Sequence, residues 1–308
     1  MAISPLGSLT ASARATLRSR STTAAVEVDG AAETVIVLSG GAALGAAQVG
    51  MLSVLAEAGV VPDLLIGCSA GAINAAFFAT DPTIDGAEAL AEIWRGLSTA
   101  QVFGGGRHML FNMLRGRTGL SSNAGLRDIV RSNIPFRWIQ DAPVRLGVVT
   151  THLETGTTVL HRSGEVEDIL LASAAIPGVF PPVELTLAHT VEWPGEHVDG
   201  GVTALVPAGM AGSYSPRQVW VLDVAGAVKG TGTYHPGSLD PVATGFALAL
   251  NAQPSIETTH EQGPRVDVIH LPMSSAKRLR SALDFSRTDA LIDAGRRSAE
   301  EALAHSLW

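Results

Sequence analysis

Leu64-Leu65-Ile66-Gly67-Cys68-Ser69-Ala70-Gly71, running on into Ala72-Ile73-Asn74-Ala75-Ala76-Phe77-Phe78-Ala79, is the stretch that decides the fold. A short apolar run bounded by a turn reads as a buried strand. Gly67 to Gly71 reads as a tight turn, and Ala72 to Ala79 as a buried helix almost without polar residues. Upstream, Val35-Ile36-Val37-Leu38 reads as another buried strand, broken by Ser39-Gly40-Gly41. Leu44, Val49, Leu52, Val54 and Leu55 then fall largely on one helical stripe that ends at Gly59. The resulting strand–helix–strand–helix order predicts an α/β fold: a three-layer α/β/α sandwich on a mostly parallel central sheet.

Working outward, Val144–Thr151 and Thr157–His161 read as strands around a turn at Thr155-Gly156, and Val166–Ala174 as a helix stopping before Pro177. Val219–Val224 and Val266–Leu271 read as strands, and Thr288–Leu307 as a closing amphipathic helix. Between Gly96 and Val144 the pattern is less regular, with helices expected near Leu110 and over Asn123–Arg131. Residues 1–32, rich in Ser, Thr, Ala and Arg, are expected to form a disordered tail; an organelle transit peptide is the weaker reading. Residues 33–308 are expected to form one domain.

Composition narrows the function. Of 308 residues, 46% are hydrophobic and 16% charged, ample for a large core. The net charge of −8 argues against a nucleic-acid partner. The single cysteine, Cys68, permits no internal disulfide and reads as a small buried residue. No segment reads as a membrane span. No His or Cys pair stands at metal-ligand spacing, so neither metal nor cofactor is expected.

The turn Gly67-Cys68-Ser69-Ala70-Gly71 has the G-x-S-x-G form, in the strand–turn–helix setting of a nucleophile elbow. Gly67 and Gly71 leave room for the sharp turn, and Ser69 is presented at a helix N-terminus, where developing negative charge is favoured. Alternatively, Ser69 merely caps that helix. The loop Gly40-Gly41-Ala42-Ala43-Leu44-Gly45 lets backbone N–H groups face a ligand closely. Gly40, Gly41, Ala42 and Ala43 are therefore candidates for an oxyanion hole. A dinucleotide phosphate loop fits less well: it calls for Gly at position 42, and Asp63 starts the second strand instead of ending it.

These two motifs, one βαβ unit apart, resemble the patatin-like phospholipase family, whose D-G-G motif arrives much later. Here that is Asp199-Gly200-Gly201, preceded by the family-like Ala172-Ser173-Ala174-Ala175-Ile176-Pro177-Gly178-Val179-Phe180-Pro181-Pro182. Asp284-Phe285-Ser286 with Leu291-Ile292 resembles the C-terminal helix region. The resemblance implies a Ser69–Asp199 dyad without histidine, an ester or lipid substrate, and a lipid acyl hydrolase that is cytoplasmic with peripheral membrane contact. It leaves the oligomeric state open. The chain departs from the family at Ala42, where a third Gly is usual, at Leu44, where Arg or Lys is usual, and at Leu205, near the usual Asn. Ala42 is costly if its backbone needs positive φ. Without the cation, a phosphate-bearing substrate has less to hold it.

Three alternatives stay open. A Ser-His-Asp triad would use Ser69, Asp223 and one of His235, His260 or His270; His197, two residues before Asp199, would share a strand face with it. A non-catalytic lipid-binding protein would keep the fold. A nucleotide-binding dehydrogenase is the weakest. Separately, the stretch from Arg95 to Arg145 holds eight arginines against Asp128 and Asp141, with Met109-Leu110-Phe111 and Trp138 among them. Arg115 and Arg117 are expected to face lipid in a lid; a solvated helical layer is the plain alternative.

Overall fold

The computed structural model describes residues 31–103, 121–190, 193–225, 266–273 and 284–306. Its strands are β1 (Thr34–Leu38), β2 (Leu64–Cys68), β3 (Arg145–His152), β4 (Thr158–His161), β5 (Val183–Leu185), β6 (Gly195–Asp199), β7 (Gln218–Asp223) and β8 (Asp267–Pro272). The helices are α1 (Gly45–Glu57), α2 (Ala70–Thr80), α3 (Ile84–Gly96), α4 (Thr99–Phe103), α5 (Ala124–Asn133), α6 (Val166–Ser173), α7 (Gly201–Ala204) and α8 (Thr288–Ser306).

All eight strands join one sheet, paired β5-β6-β3-β2-β1-β7-β8 with β4 also on β3. The β3-β2-β1-β7-β8 ladders are parallel; those of β4, β5 and β6 are antiparallel. The side chains of β1 show why the sheet is two-faced. Ile36 and Leu38 enter the large core under α1, α2, α3, α6 and α8. Val35 and Val37 enter a smaller one closed by Ala211 and Tyr214 of a 3₁₀ segment, with Ala204 of α7 packed beside it. The α/β/α layering is thus thick on one face and thin on the other. Helices α1 and α8 approach closely because neither Gly50 nor Gly295 carries a Cβ, which would strike the backbone of the other helix.

The expected strands and helices appear within a residue or two of their predicted ends. Ala32 is buried, and its N–H donates to the Tyr214 carbonyl (3.1 Å). Five elements were not read from the sequence: the short helices α4 and α7, helix α3, and strands β5 and β6. Helix α3 follows Pro82 and carries Gly86, a discouraging pair, yet Thr83 caps it by accepting the Gly86 N–H. Strands β5 and β6 are short, and Gly195-Glu196-His197 has no apolar alternation. The helix expected near Leu110, residues 1–30, Arg107, Arg115, Arg117, His235 and His260 lie outside the described residues.

The register of β3 places the site. Val148 and Val149 pair with both β2 and β4, so those two strands lie on opposite edges of β3. Thr150 and Thr151 pair with both β4 and β6, which puts β6 on the edge that β2 occupies. Strand β2 runs parallel to β3 and β6 antiparallel, so their C-terminal ends meet: Cys68 opposes Val149, and Asp199 opposes Thr150.

Candidate active site

Where the two strand ends meet, Ser69 Oγ donates to Asp199 Oδ2 at 2.7 Å. Ser69 has φ 55° and ψ −126°, a conformation that side chains rarely adopt and that aims this one out of the turn. A Cβ at Gly67 would collide with Ala72 and the Gly71 carbonyl, and one at Gly71 with the carbonyls of Ser39 and Leu38. Only glycines let strand and helix close this tightly. Cys68 is fully buried, as expected; burial, then the Asp199 charge, pushes its thiol pKa well up.

Asp199 is 1% exposed. Burial raises its pKa from 3.8 to about 7, against the opposing hydrogen bonds from Ser69 and the Gly201 N–H, which reaches Oδ1 at 2.7 Å. The end of α6 fastens both partners. Ser173 Oγ accepts the Ser69 N–H (2.9 Å) and donates to the Val149 carbonyl (2.6 Å). The Ala175 carbonyl accepts the Asp199 N–H at 3.0 Å.

The glycine loop closes the other side. Gly40 N–H donates to the Leu205 carbonyl (2.9 Å), so this amide is already used, and Gly40 serves as a spacer against Leu205 and Ser69. Gly41, Ala42 and Ala43 have no acceptor for their N–H groups among the described residues, and Ala42 lines the cavity beside Ser69. Ala42 sits at φ 49°, the left-handed conformation in which an alanine is strained. Leu44 is buried in the core, so the loop carries no cation.

Two residues passed over in the sequence hold the loop at both ends. Gln48 Nε2 donates to the carbonyls of Ser39 (2.8 Å) and Leu222 (3.2 Å). Asn74 Nδ2 donates to the Gly45 carbonyl and to Gln48 Oε1, both at 2.9 Å. Asn74 Oδ1 in turn accepts the Trp94 indole N–H at 2.7 Å. All three side chains are buried. A lone amide inside each of two otherwise apolar runs, Gly45–Leu52 and Ala70–Ala79, was the available signal, because a buried amide must find partners.

Ser69, Ala42 and Ala70 open onto a cavity walled by Ile73, Phe77, Trp94 and Phe103, among other apolar side chains. Its empty volume, mouth included, is about 600 Å³. Trp94 stacks on Phe285 (5.7 Å between centroids), and Phe103 stacks on Phe180 (5.5 Å), which makes that wall stiff.

The described histidines lie elsewhere. His270 Nε2 is 3.0 Å from Asp223 Oδ2. That pair sits on β7 and β8, with β8 three strand spacings from β2, about 14 Å. His197 shares a face with Asp199, but Thr150 Oγ1 (2.8 Å) and the Trp193 carbonyl (2.9 Å) occupy its two nitrogens. Burial lowers its pKa to about 4.

Glu165, Asp168 and His189 bring three potential metal-ligand atoms within 4.8 Å of one another. Arg137 and Arg127 already pair with the two carboxylates, and the Thr186 N–H reaches His189 Nδ1 at 3.4 Å. That leaves His189 Nε2 to carry the proton toward the acids, which suits an ion-pair network better than a metal. The same network answers part of the basic stretch. Arg127 and Arg131 also bind Glu167, Arg95 binds Glu92 and Asp289, and Arg145 binds the carbonyls of Asp63 and Ala31. The described arginines of this stretch are held by acids or carbonyls from within the fold.

Residues 36–211 match the family model "Patatin-like phospholipase". An uncharacterised NTE family protein of Mycobacterium bovis is 30% identical over 289 residues, covering 87% of this chain and 46% of its own. Patatin-like phospholipase domain-containing protein 7 of Rattus norvegicus is 28% identical over 190 residues, 61% of this chain and 13% of its own. The chain thus spans under half the length of these relatives. The crystal structure of VipD from Legionella pneumophila aligns with 89% of this chain and 67% of its own, at 12% identity and a TM-score of 0.47.

Proposed function

From membership of the patatin-like phospholipase family, to which this chain belongs, we propose that it is a lipid acyl hydrolase cleaving carboxylic esters through an acyl-enzyme on Ser69, with Asp199 as base. The observation that carries this reading is the 2.7 Å hydrogen bond from Ser69 Oγ to a buried carboxylate, at the mouth of an apolar cavity.

Ionised Asp199 takes the Ser69 proton as Oγ attacks the ester carbonyl. The N–H groups of Gly41 and Ala42, with Ala43 beside them, receive the oxyanion. The intermediate collapses as Asp199 returns the proton to the leaving alcohol. Asp199 next draws a proton from water, whose hydroxyl attacks the acyl-enzyme, and Ser69 recovers its proton as the acid leaves. A carboxylate with an ordinary pKa is a weak base. Burial brings Asp199 to about 7, where it is both substantially ionised and basic near neutrality.

Turnover of p-nitrophenyl acyl esters by the wild type, Ser69→Ala and Asp199→Asn tests the reading. Activity in the wild type alone is expected, with kcat/KM rising as pH climbs through about 7. Activity that survives Asp199→Asn would point to a histidine base and end the dyad.

A further inference from the structure

Ala70, Ile73 and Phe77 line the cavity beside Ser69 and fall three and four residues apart on α2, so they form one stripe. At about 1.5 Å of rise per residue, Ile73 stands ~6 Å and Phe77 ~12 Å beyond Ser69 along the helix. The opposite wall, from Trp94 through Phe285 to Phe103 and Phe180, is a continuous run of ring contacts. The Trp94 indole is tied to Asn74, so no free polar group faces the cavity from that residue. An apolar stripe that starts beside Ser69 and reaches an aromatic ring ~12 Å further along the helix can measure length.

We propose that this cavity is a ruler for a single straight acyl chain of medium length, with Phe77 as its floor; the proposal rests on Ser69 being the nucleophile. An extended chain advances about 1.25 Å per carbon, so the ~12 Å between Ser69 and Phe77 holds roughly eight to ten carbons. Ile73 stands halfway and can be enlarged to shorten the scale.

The test uses a graded series of straight-chain p-nitrophenyl esters with the wild type, Phe77→Ala and Ile73→Phe. In the wild type kcat/KM climbs about fourfold per added carbon, the equivalent of ~0.8 kcal/mol per buried methylene, and stops climbing near eight to ten carbons. Phe77→Ala moves the break about three to four carbons longer, and Ile73→Phe moves it to about five. Phe77→Leu, a gentler change, moves it by about one or two and serves if the alanine variant does not fold. A break at the same length in every variant overturns the ruler while leaving the hydrolase reading standing. Calorimetry of graded straight-chain alcohols with Ser69→Ala reads the slot without chemistry. The same breaks there, in a protein whose wild type cleaves no ester, would keep the ruler and remove the hydrolase. Affinity that rises with chain length without any break would overturn the ruler by itself.

Discussion

Replacing Asp199 by Asn keeps the shape of the side chain and an acceptor for the Gly201 N–H, and removes only the charge. In the wild type the folded pKa is about 7, against an ordinary 3.8, because burial penalises the carboxylate. The folded protein therefore holds a proton that the unfolded chain releases. The stabilisation from that proton is complete below about pH 4 and drains away as pH rises through about 7. The interval from 3.8 to about 7 is roughly three pKa units, each worth ~1.36 kcal/mol, hence about 4 kcal/mol in all. The amide has no such window. Asp199→Asn is therefore expected to match the wild type near pH 4 and to exceed its stability by up to ~4 kcal/mol near pH 8. It should lose about a thousandfold in kcat/KM near pH 8, where wild-type Asp199 is ionised, and the difference should shrink toward pH 4, where the wild-type carboxyl is protonated. Urea unfolding at both pH values, followed by fluorescence, reads the first quantity and ester turnover the second. A wild type as stable as the variant near pH 8 would refute the reasoning, because Asp199 would then carry no burial penalty and would be no stronger a base than a surface carboxylate.

Ala42→Gly relieves a left-handed alanine of ~1–2 kcal/mol of strain, and the unfolded-state entropy of glycine takes back ~0.5–1; a Tm about 1–3 °C higher is expected by calorimetry, and a lower one would mean that no strain is held there. Ser173→Ala strands the Ser69 N–H and the Val149 carbonyl, two buried groups, at ~2–4 kcal/mol. Urea unfolding should show that loss, and kcat should fall roughly tenfold with KM unmoved, most of it restored by Ser173→Thr; an unchanged kcat in the alanine variant would strip Ser173 of its positioning role. Charge reversal at Arg115 and Arg117 together should weaken binding to anionic liposomes at least about tenfold in a sedimentation assay, and unaltered binding would end the lid expectation.

The inner parallel strands were open to reading because they are buried on both faces. Val35 to Leu38, Leu64 to Ile66 and Val219 to Leu222 are runs that water cannot touch, so each announces itself without reference to its neighbours. The antiparallel half was not. Strand β6 is Gly-Glu-His-Val-Asp, and its hydrophobic content would not make a strand alone. It pairs because β3 outruns β2 by three residues, Thr150 to His152, and leaves an open edge to fill. That vacancy is a property of two other strands' lengths and is invisible from residue 195. Helix α3 was hidden differently: Pro82 and Gly86 suppress the local signal, while Leu90, Ala91 and Trp94 gain their stabilisation only by packing on the other helices.

The site divides along the same line. Ser69 could be found because its turn is a local problem in backbone geometry, and glycines at 67 and 71 are its local solution. Asp199 could be found only by resemblance, since a D-G pair by itself is a common turn, and what brings this one to Ser69 is the head-to-head meeting of β2 and β6 on β3. In the proposed mechanism the same meeting is why no histidine is needed. In a triad the imidazole spans the gap between serine and acid. Here the register sets Cys68 and Asp199 against adjacent residues of one strand, so the carboxylate reaches Ser69 Oγ directly and a ring has no space to enter. A base this close must also be shielded, or its pKa would remain that of an ordinary carboxylate. The backbone that brings it close, through Gly200 against the Val149 carbonyl and Cys68, also buries it. Proximity and basicity thus have one structural cause, and moving β6 outward by a single residue of register would remove both.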